Sequence, residues 1–261
     1  MNNDETREIF DRRMRREMRP DSPGTRVAQL GGVVRQTGTA DAWNGVVWSD
    51  LDEHTADAAI AEQVRHFDAL GLEFEWKHYA HDRPADLPAR LLSAGFVPEP
   101  PEALMVADVR EQPTGVALPE GVRLVPVTDA AGVDLVARVH TLAFDQDTAK
   151  FRNRLLAQLT EDPDHTIAVV AMAGDKPICG ARMELHAGTG FASLWGGGTD
   201  PAWRGRGVYR ALVAHRAGIA AERGYRYLQV DASDQSRPIL ERLGFAVLST
   251  TTPYLHRPAT G

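Results

Sequence analysis

The residues best suited to chemistry stand in one short stretch, Asp200-Pro-Ala-Trp-Arg204-Gly205-Arg206-Gly207. Gly205 and Gly207 let the main chain come close to a ligand. Arg204 and Arg206 offer charge-assisted hydrogen bonds to an anion. Before this stretch, residues 191–195 read as a strand rich in bulky side chains that ends at Gly196-Gly197-Gly198. After it, residues 207–223 read as a helix stopped by Gly224. The first N–H groups of a helix have no intrahelical partner, and the helix dipole places partial positive charge there. A strand, a glycine and arginine loop and a helix start together make an arrangement that holds phosphate. The plainer alternative is an ordinary strand-to-helix turn with two solvated arginines. The loop is no Walker loop, because no Gly-Lys-Ser/Thr follows. Nor is it the Gly-x-Gly-x-x-Gly dinucleotide fingerprint, because Arg210 takes the place of the last glycine.

The run Arg204-Gly205-Arg206-Gly207-Val208-Tyr209 resembles the acyl-CoA-binding signature of the GNAT (GCN5-related N-acetyltransferase) superfamily, Arg/Gln-x-x-Gly-x-Gly/Ala. Pro201 lies three residues before Arg204, where that family often has it. Tyr209 departs from the small residue expected at the last position and puts a larger side chain at the end of the loop. A second family element is similar to residues 236–245, a short helix ending in Leu243-Gly244-Phe245. The resemblance covers residues 121–255. It implies acetyl-CoA as co-substrate, no metal, and acyl transfer to an amine by direct attack in a ternary complex. The thioester would lie between splayed strands at 191–199 and 225–231. Backbone groups of Gly197, Gly198 and Thr199 would contact pantetheine, with an N–H near Gly196 or Trp195 polarising the carbonyl. Arg204, Gly205, Arg206, Gly207, Val208 and Tyr209 would hold the pyrophosphate. Ser233 stands where the family often has a CoA-contacting Asn. Leu240 replaces the tyrosine that often serves as acid.

An attacking amine must be neutral, so a base must accept its proton. Glu184, on the strand before the central one, and Asp231, at the end of the next, are the candidates. A solvated carboxylate at a strand end is the alternative for each. His140 reads as a helix packing residue and Cys179 as a buried core residue. Trp195 could wall the acceptor pocket or pack in the core. His78, His81 and Asp82 match no standard metal-ligand spacing.

The chain's 261 residues carry a net charge of -7, with 43% hydrophobic and 25% charged residues, the balance of a globular protein. That charge argues against a general nucleic-acid or anionic-membrane surface. One cysteine leaves no disulfide within the chain. No run of apolar residues reaches the length of a membrane span. The N-terminus, Met-Asn-Asn-Asp-Glu, lacks the regions of a signal peptide, so a cytoplasmic setting is expected. The expected assembly is a monomer or homodimer.

The two halves repeat each other. In the first, a helix at 55–70, Gly71, an alternating strand at 72–79 and a short helix at 84–93 lead to Gly95-Phe96. In the second, a helix, Gly224, a strand at 225–230 and a short helix lead to Gly244-Phe245. An amphipathic, arginine-rich helix over 4–19 precedes the first copy. It ends at a break over 20–24, and its arginines read as a solvated face. The fold class expected is α/β (α+β), two tandem GNAT-like domains, each a mixed, mainly antiparallel sheet flanked by helices. The division expected is 1–112, a linker at 113–121, and a catalytic domain at 122–261. The first copy's loop, Ser49-Asp-Leu-Asp-Glu-His54, has three acids and neither glycine nor arginine, so that copy is expected to have lost the cofactor. The function expected is acetyl transfer to a primary amine of a small molecule. The alternatives are acetylation of protein N-termini or lysines, and a non-catalytic CoA-binding regulatory module.

Overall fold

The computed structural model describes residues 1–21, 24–113, 115–144 and 148–258. Residues 22–23 of the expected break and residue 114 of the expected linker lie outside the described residues. The chain forms two compact units. One comprises Met1–Met105, Asp231–Arg237 and Val247–Gly261, and the other Val106–Val230 and Pro238–Ala246.

The first unit begins with α1 (Asn3–Phe10), whose N-cap Asn2 accepts a hydrogen bond from the Glu5 N–H. A π-helical turn over Asp11–Arg16 continues it. Arg12 and Arg16 are exposed, as a solvated face requires, but Arg15 is buried. A guanidinium inside the protein needs partners, and Arg15 donates to the Val47 carbonyl and to both oxygens of Asp82. Strands β1 (Arg26–Leu30), β2 (Val33–Thr37) and β3 (Gly45–Ser49) pair antiparallel in sequence. Helix α2 (Ala56–Leu70), closed by left-handed Gly71, leads to β4 (Phe74–Tyr79), which pairs parallel to β3. Helix α3 (Leu87–Ser93) and the short β5 (Val97–Pro98) follow. The core gathers Ile60, Phe67, Phe74, Trp76, Leu91 and Phe96, with the Phe67 and Phe74 rings stacked 4.2 Å apart. Strand β6 (Glu102–Asp108) carries the chain from this unit into the next.

The second unit holds β7 (Val122–Val127), α4 (Ala130–Phe144) and α5 (Ala149–Glu161). The Asp129 carboxylate accepts from the Gly132 N–H at 2.8 Å, the cap expected for α4. Then come β8 (Thr166–Ala173), β9 (Lys176–His186), β10 (Phe191–Thr199), α6 (Val208–Glu222) and β11 (Tyr227–Ala232). Strands β7 to β10 pair antiparallel in sequence, and β10 pairs parallel to β11. Both units thus share one plan: antiparallel strands, a helix, then a strand parallel to the last. The mixed, mainly antiparallel sheets expected from the repeat are observed.

The compact units do not follow a contiguous division at 113–121. After α7 (Arg237–Arg242), the last strand β12 (Ala246–His256) pairs antiparallel with β4, from Thr251↔Tyr79 to His256↔Phe74. Tyr254 joins the first core. The C-terminal strand therefore completes the first unit's sheet.

Candidate functional site: the glycine strand and the start of α6

β10 parts from β11 before it reaches the loop and bulges against β9. Its parallel pairing with β11 runs from Phe191↔Tyr227 to Ser193↔Gln229, and its register with β9 breaks between Trp195 and Gly198. Gly196 and Gly197 therefore lie outside both ladders, and the pairing with β9 resumes at Gly198↔Gly180. β10 and β11 thus part after Ser193, the splay expected between these two strands.

The three glycines have a second cause that the sequence did not show. Faces alternate along a strand, and here they face helices on opposite sides. A Cβ on Gly196 would come 2.7 Å from the His140 ring, and one on Gly198 2.9 Å from Phe144, both on α4. A Cβ on Gly197 would come 2.5 Å from the Tyr209 ring of α6. The run is glycine because both helices pack directly onto the strand. Tyr209 turns its ring onto Gly197 and not into the loop, so its size leaves the loop open. Nothing lies within 4 Å of a Cβ placed on Gly205 or Gly207.

Between strand and helix, Asp200 caps a short 3-10 turn, Pro201–Trp203, by accepting from the Ala202 N–H. Lys176 pairs with the other Asp200 oxygen at 2.8 Å, and that hydrogen bond, more than any other cause, holds the carboxyl below its usual value. The neighbouring negative charge is therefore already countered. Gly205 and Gly207 adopt left-handed backbone, with φ of 75° and 81°, a region open to glycine at little cost. Gly207 is the N-cap of α6, and no side chain caps the helix. The first intrahelical bond there is Ala211 N–H to the Gly207 carbonyl, so the N–H groups of Val208, Tyr209 and Arg210 have no acceptor four residues back. Arg204 and Arg206 are exposed. Arg204 donates to the Ala143 and Thr199 carbonyls at 3.1 and 3.4 Å, and the Arg206 guanidinium stands 4.8 Å from the Trp203 ring centre. Thr199 directs its hydroxyl to the Cys179 sulfur at 3.1 Å. Cys179 is buried as expected, and burial pushes its thiol up to about 11.

The two carboxylates expected as bases fall in different compact units. Glu184 accepts from Gln158 at 3.0 Å and lies 3.3 Å from Arg182 Nε. Burial pushes it up, but the Arg182, Arg154 and His186 charges and the Gln158 hydrogen bond hold it below its ordinary value. A carboxylate so held accepts a proton poorly. Asp231 is almost wholly buried and pairs with Lys77 Nζ at 2.6 Å in the first unit. There, Glu102 is pushed up to about 7, by burial first and by Asp231 second, which makes it a group that titrates near neutrality. Ser233 lies in the first unit's segment Asp231–Arg237, its hydroxyl 3.3 Å from that of Ser236.

The residue that sequence reasoning missed is His140. It does pack, stacking on Phe151 with ring centres 4.1 Å apart. Its Nε2 also lies 2.5 Å from the Gly196 carbonyl oxygen, which makes Nε2 the donor and leaves Nδ1 its lone pair. Burial pushes its pKa down; the bond to Gly196 opposes this and the Arg182 charge adds to it. Fifty-six residues separate His140 from Gly196, so no local spacing could reveal the pair.

Residues 134–245 match the acetyltransferase (GNAT) family, and the chain carries a domain of that family over this span. The family's co-substrate is acetyl-CoA. No curated protein sequence matches the chain. The fold is similar to that of a GCN5-related N-acetyltransferase from Kribbella flavida, at 19% identity and a TM-score of 0.67, covering 91% of each chain. It is also similar to a functionally unknown conserved protein from Staphylococcus epidermidis, at 11% identity and a TM-score of 0.69, covering 93% of this chain and 97% of that one. A tandem GNAT protein from the clavulanic acid biosynthesis pathway matches at 13% identity and a TM-score of 0.62, over 100% of this chain and 97% of that one. The fold is thus a tandem GNAT arrangement. Among the described residues, no helix is long and apolar enough to cross a membrane.

Proposed function

We propose that the second unit transfers an acetyl group from acetyl-CoA to a primary amine of a small molecule. The observation that carries this reading is the start of α6, left without a side-chain cap behind two left-handed glycines and two exposed arginines. The N–H groups of Val208, Tyr209 and Arg210 would donate to the pyrophosphate, with Arg204 and Arg206 turning from their present partners to its oxygens. The gap at Gly196 and Gly197, continuing along Gly198 and Thr199, would take pantetheine through the backbone. A main-chain N–H there would stabilise charge on the carbonyl oxygen as the amine nitrogen attacks. The new N–C bond forms, the C–S bond breaks, and the thiolate leaves.

His140 is the proton acceptor we assign. Burial favours its neutral form, and Nδ1 keeps a lone pair while Nε2 donates to Gly196. The proton leaves the amine for His140 and passes from there to the departing sulfur or to water. Glu184, held below its ordinary value, would anchor Arg182 instead of serving as base. The net charge of -7 favours a cationic acceptor over an anionic one.

A panel of amines with acetyl-CoA, read by release of free thiol, tests the reading. Turnover with at least one small amine is expected. His140→Phe keeps the ring stacking and should lower kcat by about 100-fold, the scale of general-base catalysis, with KM for acetyl-CoA little changed. Thiol release no faster than hydrolysis with every amine would contradict acetyl transfer. An unchanged kcat in His140→Phe would remove His140 from the chemistry.

A further inference from the structure

The first unit contains a second constellation with chemical potential. His81 lies in the turn after β4. Its Nδ1 is 2.8 Å from the Ser249 hydroxyl on β12, and its Nε2 is 2.8 Å from Asp11 Oδ2 in the π-helical turn. Asp11 is also bonded, through Oδ1, to Arg15 at 2.8 Å. We propose that Ser249, His81 and Asp11 form a serine–histidine–aspartate relay in which Ser249 is a nucleophile toward small carboxylic esters. The proposal goes beyond acetyl transfer and does not depend on it, since all three residues belong to the first unit.

Each part of the geometry has a consequence. Asp11 accepts at Nε2, so the neutral ring carries its proton there and points its lone pair, at Nδ1, to the serine O–H. The Ser249 hydroxyl has one other acceptor, the Thr250 carbonyl at 3.4 Å, well beyond the 2.8 Å to His81. Arg15 Nη1 approaches His81 at Nε2, 3.4 Å away, so it leaves the Nδ1 lone pair alone. Burial would raise Asp11, but the His81 hydrogen bond and the Arg15 charge hold it below its ordinary value, so it stays an anion. Arg15 is itself locked by Asp82 and Val47 and lies over the Tyr79 ring, 4.0 Å from its centre. The π-helical turn is what brings Asp11 and Arg15 to His81 together, and such turns often mark functional positions. Asp11 is the positioning residue. Ser249 is half-buried and His81 one quarter exposed, which leaves the pair open to a small, unbranched acyl group.

In the step proposed, Ser249 Oγ bonds to the ester carbonyl carbon while its proton passes to His81 Nδ1. The bond from that carbon to the leaving alkoxide breaks, and His81 returns the proton to the alkoxide. Water then attacks the acyl-serine, gives a proton to His81, and Ser249 recovers it as the acid is released.

The test treats the full-length protein, without acetyl-CoA or amine, with a fluorophosphonate probe, in which the serine oxygen displaces fluoride from phosphorus. The adduct is located by peptide mass mapping. An adduct on Ser249 is expected. His81→Ala should slow its formation at least about 100-fold with circular dichroism unchanged, the scale of losing a general base. Asp11→Asn, which favours the wrong tautomer, should slow it as well. If His81→Ala fails to fold, Asp11→Asn decides the role of the relay. No adduct on Ser249 in the wild-type protein would overturn the proposal. So would labelling of Ser249 at an unchanged rate in a folded His81 or Asp11 variant, because a brace that only ties β12 to the turn has no effect on reactivity.

Discussion

The starts of α2 and α6 occupy equivalent places in the two units, each between the members of a parallel strand pair; neither helix has a side-chain cap, but the loops that lead into them differ. Each helix begins with N–H groups that its own backbone cannot satisfy. Before α2 the chain supplies a carboxylate that ties the turn leading into the helix. Asp52 Oδ1 accepts from the His54 and Thr55 N–H groups at 2.9 Å each, and from the Thr55 hydroxyl at 2.8 Å. At α6 the chain supplies glycine, arginine and no cap. The first unit thus has acidic residues in the loop where the second has glycine and arginine.

The largest effect expected concerns separation of the two copies. Residues 116–261 hold the whole glycine strand and α6 but take β12 away from β4, leaving a long strand without its partner. Unpaired strand edges promote association. That fragment should be largely insoluble, or should melt far below the intact protein in a thermal scan. A soluble, fully active monomer with an unchanged melting temperature would show that the second copy is self-sufficient.

Next in size is the anion site itself. Arg204→Ala and Arg206→Ala should each weaken acetyl-CoA binding by roughly 1–3 kcal/mol, as for a charge-assisted contact. Calorimetry on the wild type should return one acetyl-CoA per chain. Unchanged affinity in the double variant would sink the assignment of the loop, and a stoichiometry of two would erase the difference between the copies.

The smallest effect tests the Asp52 turn before α2. Asp52→Ala should lower the melting temperature by about a few degrees, the size of lost turn hydrogen bonds, and leave acetyl-CoA affinity untouched. The hydrogen bond from the Thr55 hydroxyl, first among the causes, holds Asp52 below its ordinary value. A depressed carboxylate contributes stability above its unfolded pKa and loses it as pH falls through the folded one. The gap between wild type and Asp52→Ala should therefore close as the solution is acidified below the ordinary carboxylate range. A gap independent of pH would assign the stability to something other than the charge.

Much of this contrast was legible in the sequence because it is local. The loop 200–207, the helix stop at Gly224 and the acids at 49–54 act on residues close to them in the chain. The tandem plan was legible because the same order of helix, glycine, strand and Gly-Phe recurs. What was not legible depends on contacts distant in sequence. The destination of β12 depends on pairing with β4, 172 residues earlier by the register Thr251↔Tyr79. The meaning of Gly196 and Gly198 depends on His140 and Phe144 packing from α4. Arg15 read as one solvated arginine among several because nothing near it in the chain announces Asp82. Tyr209 read as a change at the loop's end, and only the packing of α6 onto β10 shows its ring directed to Gly197.

Hydrogen–deuterium exchange with and without saturating acetyl-CoA reads both helix starts in one experiment. Added protection is expected at amides 205–211 and none at 52–58, where the acids of the loop repel an anion. Protection at 52–58, or unchanged exchange at 205–211 with acetyl-CoA bound, would contradict that expectation.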